Sequence, residues 1–141
     1  MKKIQMILVA AVLFFAVHYQ AKSQTIKAGG GIVVRSQPKA GMVTKLTYDL
    51  GVLDPNLRLS LDFMVIPPIE ANLDVHYTFL RNSSLEGYAL AGTNLANPTG
   101  LNAGGGLNFD LSPSLDGFGE VKYLINPSPQ PAIKLGILYH L

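Results

Sequence analysis

Three histidines, nine acidic and eleven basic residues are the groups with which this chain could do chemistry, and it has no cysteine. His18 falls in an apolar N-terminal stretch, leaving His76 and His140. Neither has a second donor at metal spacing, and zinc needs three or four ligands brought together. On an extended chain His76 shares a face with Glu70 and Asp74, which is acid–base chemistry in principle, but no serine nucleophile stands beside them. Gly104-Gly105-Gly106 lacks the lysine and the strand-to-helix setting of a phosphate-cradling loop. The expectation is no enzyme activity, no metal and no cofactor, with His76 making hydrogen bonds inside the fold.

What remains is a balanced set of charges. Lys27, Arg35, Lys45, Arg58, Lys122 and Lys134 stand against Asp49, Asp62, Glu70, Asp74, Asp110 and Glu120. The elements that must position them have a period of two. At 57–65, Leu57, Leu59, Leu61, Phe63 and Val65 point one way while Arg58, Ser60, Asp62 and Met64 point the other. At 69–79, Ile69, Ala71, Leu73, Val75, Tyr77 and Phe79 share one face, and Glu70, Asn72, Asp74, His76 and Thr78 share the opposite one. Helical geometry would scatter these charges around its circumference. Six more segments repeat the pattern, at 25–35, 42–50, 85–95, 101–111, 115–125 and 131–141, separated by hairpin-sized stretches rich in Pro, Gly, Asn, Asp and Ser. In the segment at 85–95, Tyr88 and Leu90 compete with Ala89 and Ala91 for the outward face, so alternation does not fix its register.

Length and the first residues bound the architecture. Lys2 and Lys3 precede an apolar run at 7–17, and Ala21 and Ser23 are the small residues a signal peptidase reads. Residues 1–23 are therefore expected to be a cleaved signal peptide, and 24–141 a single domain. The run is shorter than the ~20 residues that span hydrocarbon, and no cysteine follows it to take a lipid. Of the 11 basic residues, Lys2, Lys3 and Lys22 lie in this segment, which leaves 8 against 9 acidic ones. Such a neutral remainder offers no basic face to a nucleic acid.

Eight alternating segments joined by short turns describe an all-β, eight-stranded antiparallel up-and-down barrel. A soluble barrel turns its polar face outward and a transmembrane one turns it inward. Three features favour the second. The charges balance, as groups enclosed in a narrow lumen must. Tyr48, Tyr77, Phe79, Phe109 and Tyr139 fall near one rim, as an interfacial girdle would. The sequence also stops within its last strand. Gly29, Gly31, Gly104 and Gly106 are expected to face inward, where eight strands leave little room.

The final strand, Lys134-Leu135-Gly136-Ile137-Leu138-Tyr139-His140-Leu141, resembles the C-terminal targeting strand of outer-membrane proteins at Lys134, Gly136, Tyr139 and Leu141, with leucine where a terminal phenylalanine is more usual. The stretches 88–92, 101–107 and 119–123 resemble the Gly-rich second half of small OmpA/OmpX-like barrels. The first resemblance implies recognition by the barrel-assembly machinery during insertion. His76 with its carboxylates is loosely similar to the site of membrane-embedded lipid A deacylases, which work on the lipid-facing surface, whereas His76 belongs to the inward set.

The expected protein is thus a monomeric integral outer-membrane barrel of a Gram-negative envelope, with membrane lipid as its surroundings, a side-chain-filled lumen and a structural role. An arginine at Leu61 or Val75 is expected to cost more than one at Ser60. The alternative is a soluble periplasmic or secreted β-barrel that binds a small apolar ligand.

Overall fold

A computed structural model describes residues 25–36, 39–51, 53–66, 69–95, 100–125 and 130–141, so the expected signal peptide at 1–23 lies outside the described residues. Every regular element among them is a strand: β1 Ile26–Arg35, β2 Lys39–Asp49, β3 Leu57–Val65, β4 Glu70–Arg81, β5 Leu85–Asn94, β6 Leu101–Ser112, β7 Leu115–Leu124 and β8 Gln130–His140. Each pairs antiparallel with its sequence neighbours, and β1 pairs with β8 to close the barrel. Closure leaves no sheet edge, so the backbone groups are satisfied without water.

Period-two polarity fixes which residues face in. Odd-numbered positions of β1 and β2, and even-numbered positions of β3 to β8, line the lumen, except at the register shifts near the ends of β4 and β6, where Leu80, Asp110 and Ser112 are exposed. Lys45, Thr47, Arg58, Ser60, Asp62, Asn72, Asp74, His76, Glu120, Lys122 and Lys134 are buried there. Ile32, Val34, Met42, Phe63, Val65, Val75, Leu107, Val121, Ile133, Leu135 and Ile137 are exposed on the outer wall. Polarity is inverted relative to a water-soluble barrel. The lumen is not wholly polar, since Val33, Val43, Met64, Ile66, Phe118, Ala132 and Leu138 form a buried apolar cluster within it.

Strand limits depart from the alternation in explicable ways. β2 begins at Lys39 because the ladder with β1 continues through Arg35↔Lys39 and Val34↔Ala40, across Ala and Gly, which carry little hydropathic signal. β4 runs on to Arg81 by way of a register shift between Thr78 and Leu80. Tyr88 and Leu90 face inward, with Ala89 and Ala91 outward, which settles the register of β5.

The seam between β1 and β8 requires glycine. A Cβ at Gly31 would run into the backbone oxygen of Leu135, so a side chain there would push the two strands apart. At the rim that carries Ile26 and His140, called the terminal rim below, Tyr77, Phe79, Phe109 and Tyr139 are exposed on the outer wall.

Candidate functional site

The middle of the lumen holds three lysines and three carboxylates contributed by five strands. Lys45 on β2 donates to Asp62 on β3 (3.0 Å) and to Glu120 on β7 (2.7 Å). Lys134 on β8 donates to Glu120 (2.6 Å) and to Asp62, while Lys122 on β7 donates to Asp74 on β4 and to Asp62 (3.4 Å). Ser60 adds a hydroxyl donor to Asp62 (3.0 Å). All six charged side chains are buried, and their formal charges cancel. A charge carried into a low-dielectric interior is tolerable only when paired and hydrogen-bonded, and here each is met by at least one partner.

Beside this cluster the Tyr88 hydroxyl donates to Glu120 Oε2 (3.0 Å), and the Tyr88 ring stacks on His76 at 4.4 Å between centroids and 7° between planes. Gly106 makes room for that ring: a Cβ there would lie 2.5 Å from the Tyr88 hydroxyl and 2.7 Å from the backbone oxygen of Gly119. The expectation of hydrogen bonds from His76 needs correcting. Its Nε2 lies 4.0 Å from Glu120 Oε2, and neither ring nitrogen has a hydrogen-bond partner among the described residues. The tyrosine hydroxyl occupies the carboxylate instead, so His76 acts through its ring face.

Two further ion-pair groups close the terminal rim. Arg58 donates to Asp49 (2.5 Å) and pairs with Glu86 (2.8 Å), which also lies 3.7 Å from the half-exposed Arg81. Lys27 donates to Asp116 (2.7 Å), and His140 Nε2 sits 2.9 Å from the same carboxylate oxygen, so β1, β7 and β8 meet on one acid. Toward the opposite rim, Arg35 on β1 pairs across the lumen with Glu70 on β4 (2.6 Å).

Of the charged residues that the sequence places inside, Lys27, Arg35, Lys45, Arg58, Asp62, Glu70, Asp74, Glu120, Lys122 and Lys134 are buried, and Asp49 is half-buried at the rim. Asp110 is not in the lumen: it is exposed. It stands opposite Asp116, beside the register shift between Asp110 and Ser112, and two carboxylates face to face repel. Asp116 keeps the lumen with Lys27, and Asp110 takes the solvent side. Asp116 and Glu86 are lumenal acids that the charge list missed. Asp116 has the parity of Glu120, so its signal was present, whereas Glu86 lies on the strand whose register alternation left open. Of the C-terminal residues, Lys134 faces inward, Gly136 lies beneath Phe118 on the neighbouring strand, and Tyr139 and Leu141 are exposed.

No family model and no curated protein matches the chain. Solved structures do match. A de novo designed transmembrane β-barrel aligns at 21% identity over 83% of this chain and 95% of the design, with a TM-score of 0.68. The N-terminal β-barrel domain of Pseudomonas aeruginosa OprF aligns at 13% identity over 86% of this chain and 100% of that one (TM-score 0.55). The Yersinia pestis outer membrane protein Ail, solved in a phospholipid bilayer nanodisc, aligns at 15% identity over 84% and 98% (TM-score 0.54). The likeness is one of fold, a small closed antiparallel β-barrel.

In this closed barrel the cluster occupies the middle of the lumen. Asp62, Asp74 and Glu120 bring one carboxylate oxygen each within 4.8 Å of one another, the spacing of a cation site. Lys45, Lys122 and Lys134 already supply there the positive charge a metal would bring, and a bound cation would leave the cluster strongly positive.

Proposed function

We propose that this chain is a small integral outer-membrane β-barrel protein of a Gram-negative envelope, a non-enzymatic structural component that contributes to envelope integrity. The inverted polarity carries this reading. Apolar side chains cover the outer wall, and buried ion pairs fill the interior. Water would leave the outer wall unsolvated, whereas acyl chains match it. The sealed lumen supports a barrel that conducts neither ions nor solutes, because eight strands leave an interior just wide enough for the side chains it contains. The same ion pairs stand where a soluble ligand-binding barrel would need an apolar cavity.

Residues 1–23 then serve as the export signal and are removed. Lys134, Gly136, Tyr139 and Leu141 are the contacts offered to the barrel-assembly machinery during biogenesis, and the mature barrel works as a monomer among membrane lipids. A deletion strain should become more sensitive to detergents and bulky apolar antibiotics, with recovery on complementation. The protein should appear in the outer-membrane fraction, migrate differently on a gel when unheated, and give no steady conductance in planar bilayers. Release by osmotic shock without detergent would overturn the membrane reading, and a stable open pore would overturn the sealed lumen.

A further inference from the structure

The outer wall is not uniform. Large side chains such as Ile32, Met42, Phe63, Ile133 and Leu135 cover β1, β2, β3 and β8. In the middle of β5 and β6 the outward positions are small, Gly87, Ala89 and Ala91 on the one and Ala103 and Gly105 on the other, with Gly119 beside them on β7, while Leu101, Leu107, Phe109 and Leu111 stay large toward the ends of β6. Register lines these up, through Ala89↔Gly105↔Val121 and Gly87↔Leu107↔Gly119. The wall sinks there into an open groove of about 420 Å³, floored by Ala89, Gly105 and Gly119 and flanked by Phe79, Leu107 and Val121.

Strand packing requires glycine at only one of the three floor positions: a Cβ at Gly105 would lie 2.9 Å from the backbone oxygen of Tyr88. A Cβ at the inward Gly104 would run into the backbone oxygen of Val121, but one at Gly119 would meet only Leu135 Cδ2, at 3.3 Å, the far end of a flexible side chain. Ala89 is exposed and could carry a larger group. One wall is also built in an unusual way: Phe79 sits at the register shift between Thr78 and Leu80 and stands 67% exposed.

We propose that this groove seats one acyl chain of a bilayer phospholipid, held longer than the lipids around the rest of the barrel. The inference rests on the membrane reading above. Continuity identifies the occupant, since the groove opens directly into the apolar belt and none of the side chains that floor or flank it is charged. A gap in that belt forfeits dispersion contacts along its lining, and a flexible methylene chain can follow the floor across three strands and restore them. The groove lies in the half of the belt nearer the terminal rim, which is the periplasmic leaflet if the termini face the periplasm.

Spin-labelled phosphatidylglycerol in phosphatidylglycerol–phosphatidylethanolamine vesicles tests this, with the full mature chain and with Ala89→Leu and Gly119→Leu, each checked for folding by heat-modifiable mobility. The wild type should show a slowly exchanging, motion-restricted lipid component of about one lipid per barrel beyond the ordinary boundary layer, and either folded variant should lose it. A floating, folded wild type without that component, or folded variants that keep it, would overturn the groove proposal and leave the membrane reading intact. A chain that fails to float with the vesicles would overturn both. Concentration-dependent dimers seen only in the wild type would give the groove to a second copy and overturn the lipid assignment.

Discussion

Asp62→Asn tests the lumenal cluster most sharply, because the side chain it replaces is fully buried and receives Lys45, Lys122, Lys134 and Ser60. The amide has nearly the same shape, so the perturbation is one of charge. Three ammonium groups are left with Asp74 and Glu120, and the central cluster, neutral before, carries a net positive charge. Removing one partner of a buried pair costs about 3–5 kcal/mol. Each lysine keeps a second carboxylate, Glu120 for Lys45 and Lys134 and Asp74 for Lys122, so the loss should fall near the lower figure. A cost of about 3 kcal/mol lowers the folding constant roughly 100-fold. Combining Asp62→Asn with Lys134→Met removes one charge of each sign and should recover at least half of the loss. The chain has no tryptophan, so urea titrations in phospholipid vesicles are best followed by far-UV circular dichroism and by gel mobility of unheated samples. A cost for Asp62→Asn below about 1 kcal/mol, or a double variant less stable than the single one, would refute a desolvated and charge-balanced cluster.

The same titrations test four other changes. Val75→Arg places a cation on the apolar wall and should cost about 2–4 kcal/mol. Ser60→Arg reverses the ranking expected from alternation: Ser60 is fully buried and donates to Asp62, so an arginine adds overpacking of about 1–3 kcal/mol and a positive charge beside Lys45, and it should be at least as damaging as Val75→Arg. Gly106→Val should displace the Tyr88 ring, cost about 1–3 kcal/mol and weaken the near-UV dichroism of tyrosine. Tyr88→Phe loses only the hydrogen bond to Glu120, about 1.5–3 kcal/mol for a bond to a charged group, and should leave His76 with its stacking partner.

Strands, faces and lumenal membership were largely legible because alternation is a local property. Leu57 to Val65 is a strand in both readings, with Asp62 inside and Phe63 outside. Legibility failed where neighbours on both faces have similar hydropathy. Tyr88 faces inward because Gly106 leaves space beneath it and Glu120 accepts its hydroxyl, and both partners lie on other strands. Pairings were equally hidden. The sequence shows that Lys134 and Asp62 share a lumen but not that they touch, since contact across a barrel depends on strand stagger. Asp110 shows the limit of parity: it shares the parity of the lumenal set, yet beside the shift in the ladder its register partner Asp116 holds the lumen and Asp110 is exposed. The glycines carried a real but ambiguous signal, because Gly31 and Gly104 are required by backbone approach whereas Gly119 is not.

A nitroxide scan along β3 tests the inverted polarity most directly, because a chain without native cysteine allows each introduced thiol to be labelled alone. In vesicles, labels at Leu59, Leu61 and Phe63 should collide freely with oxygen dissolved in the hydrocarbon and hardly at all with an aqueous nickel chelate, while labels at Ser60 and Met64 should be shielded from both. A monomer that stays dissolved with no amphiphile present, and whose labels at Leu59, Leu61 and Phe63 meet the nickel chelate, would contradict the membrane-spanning barrel outright.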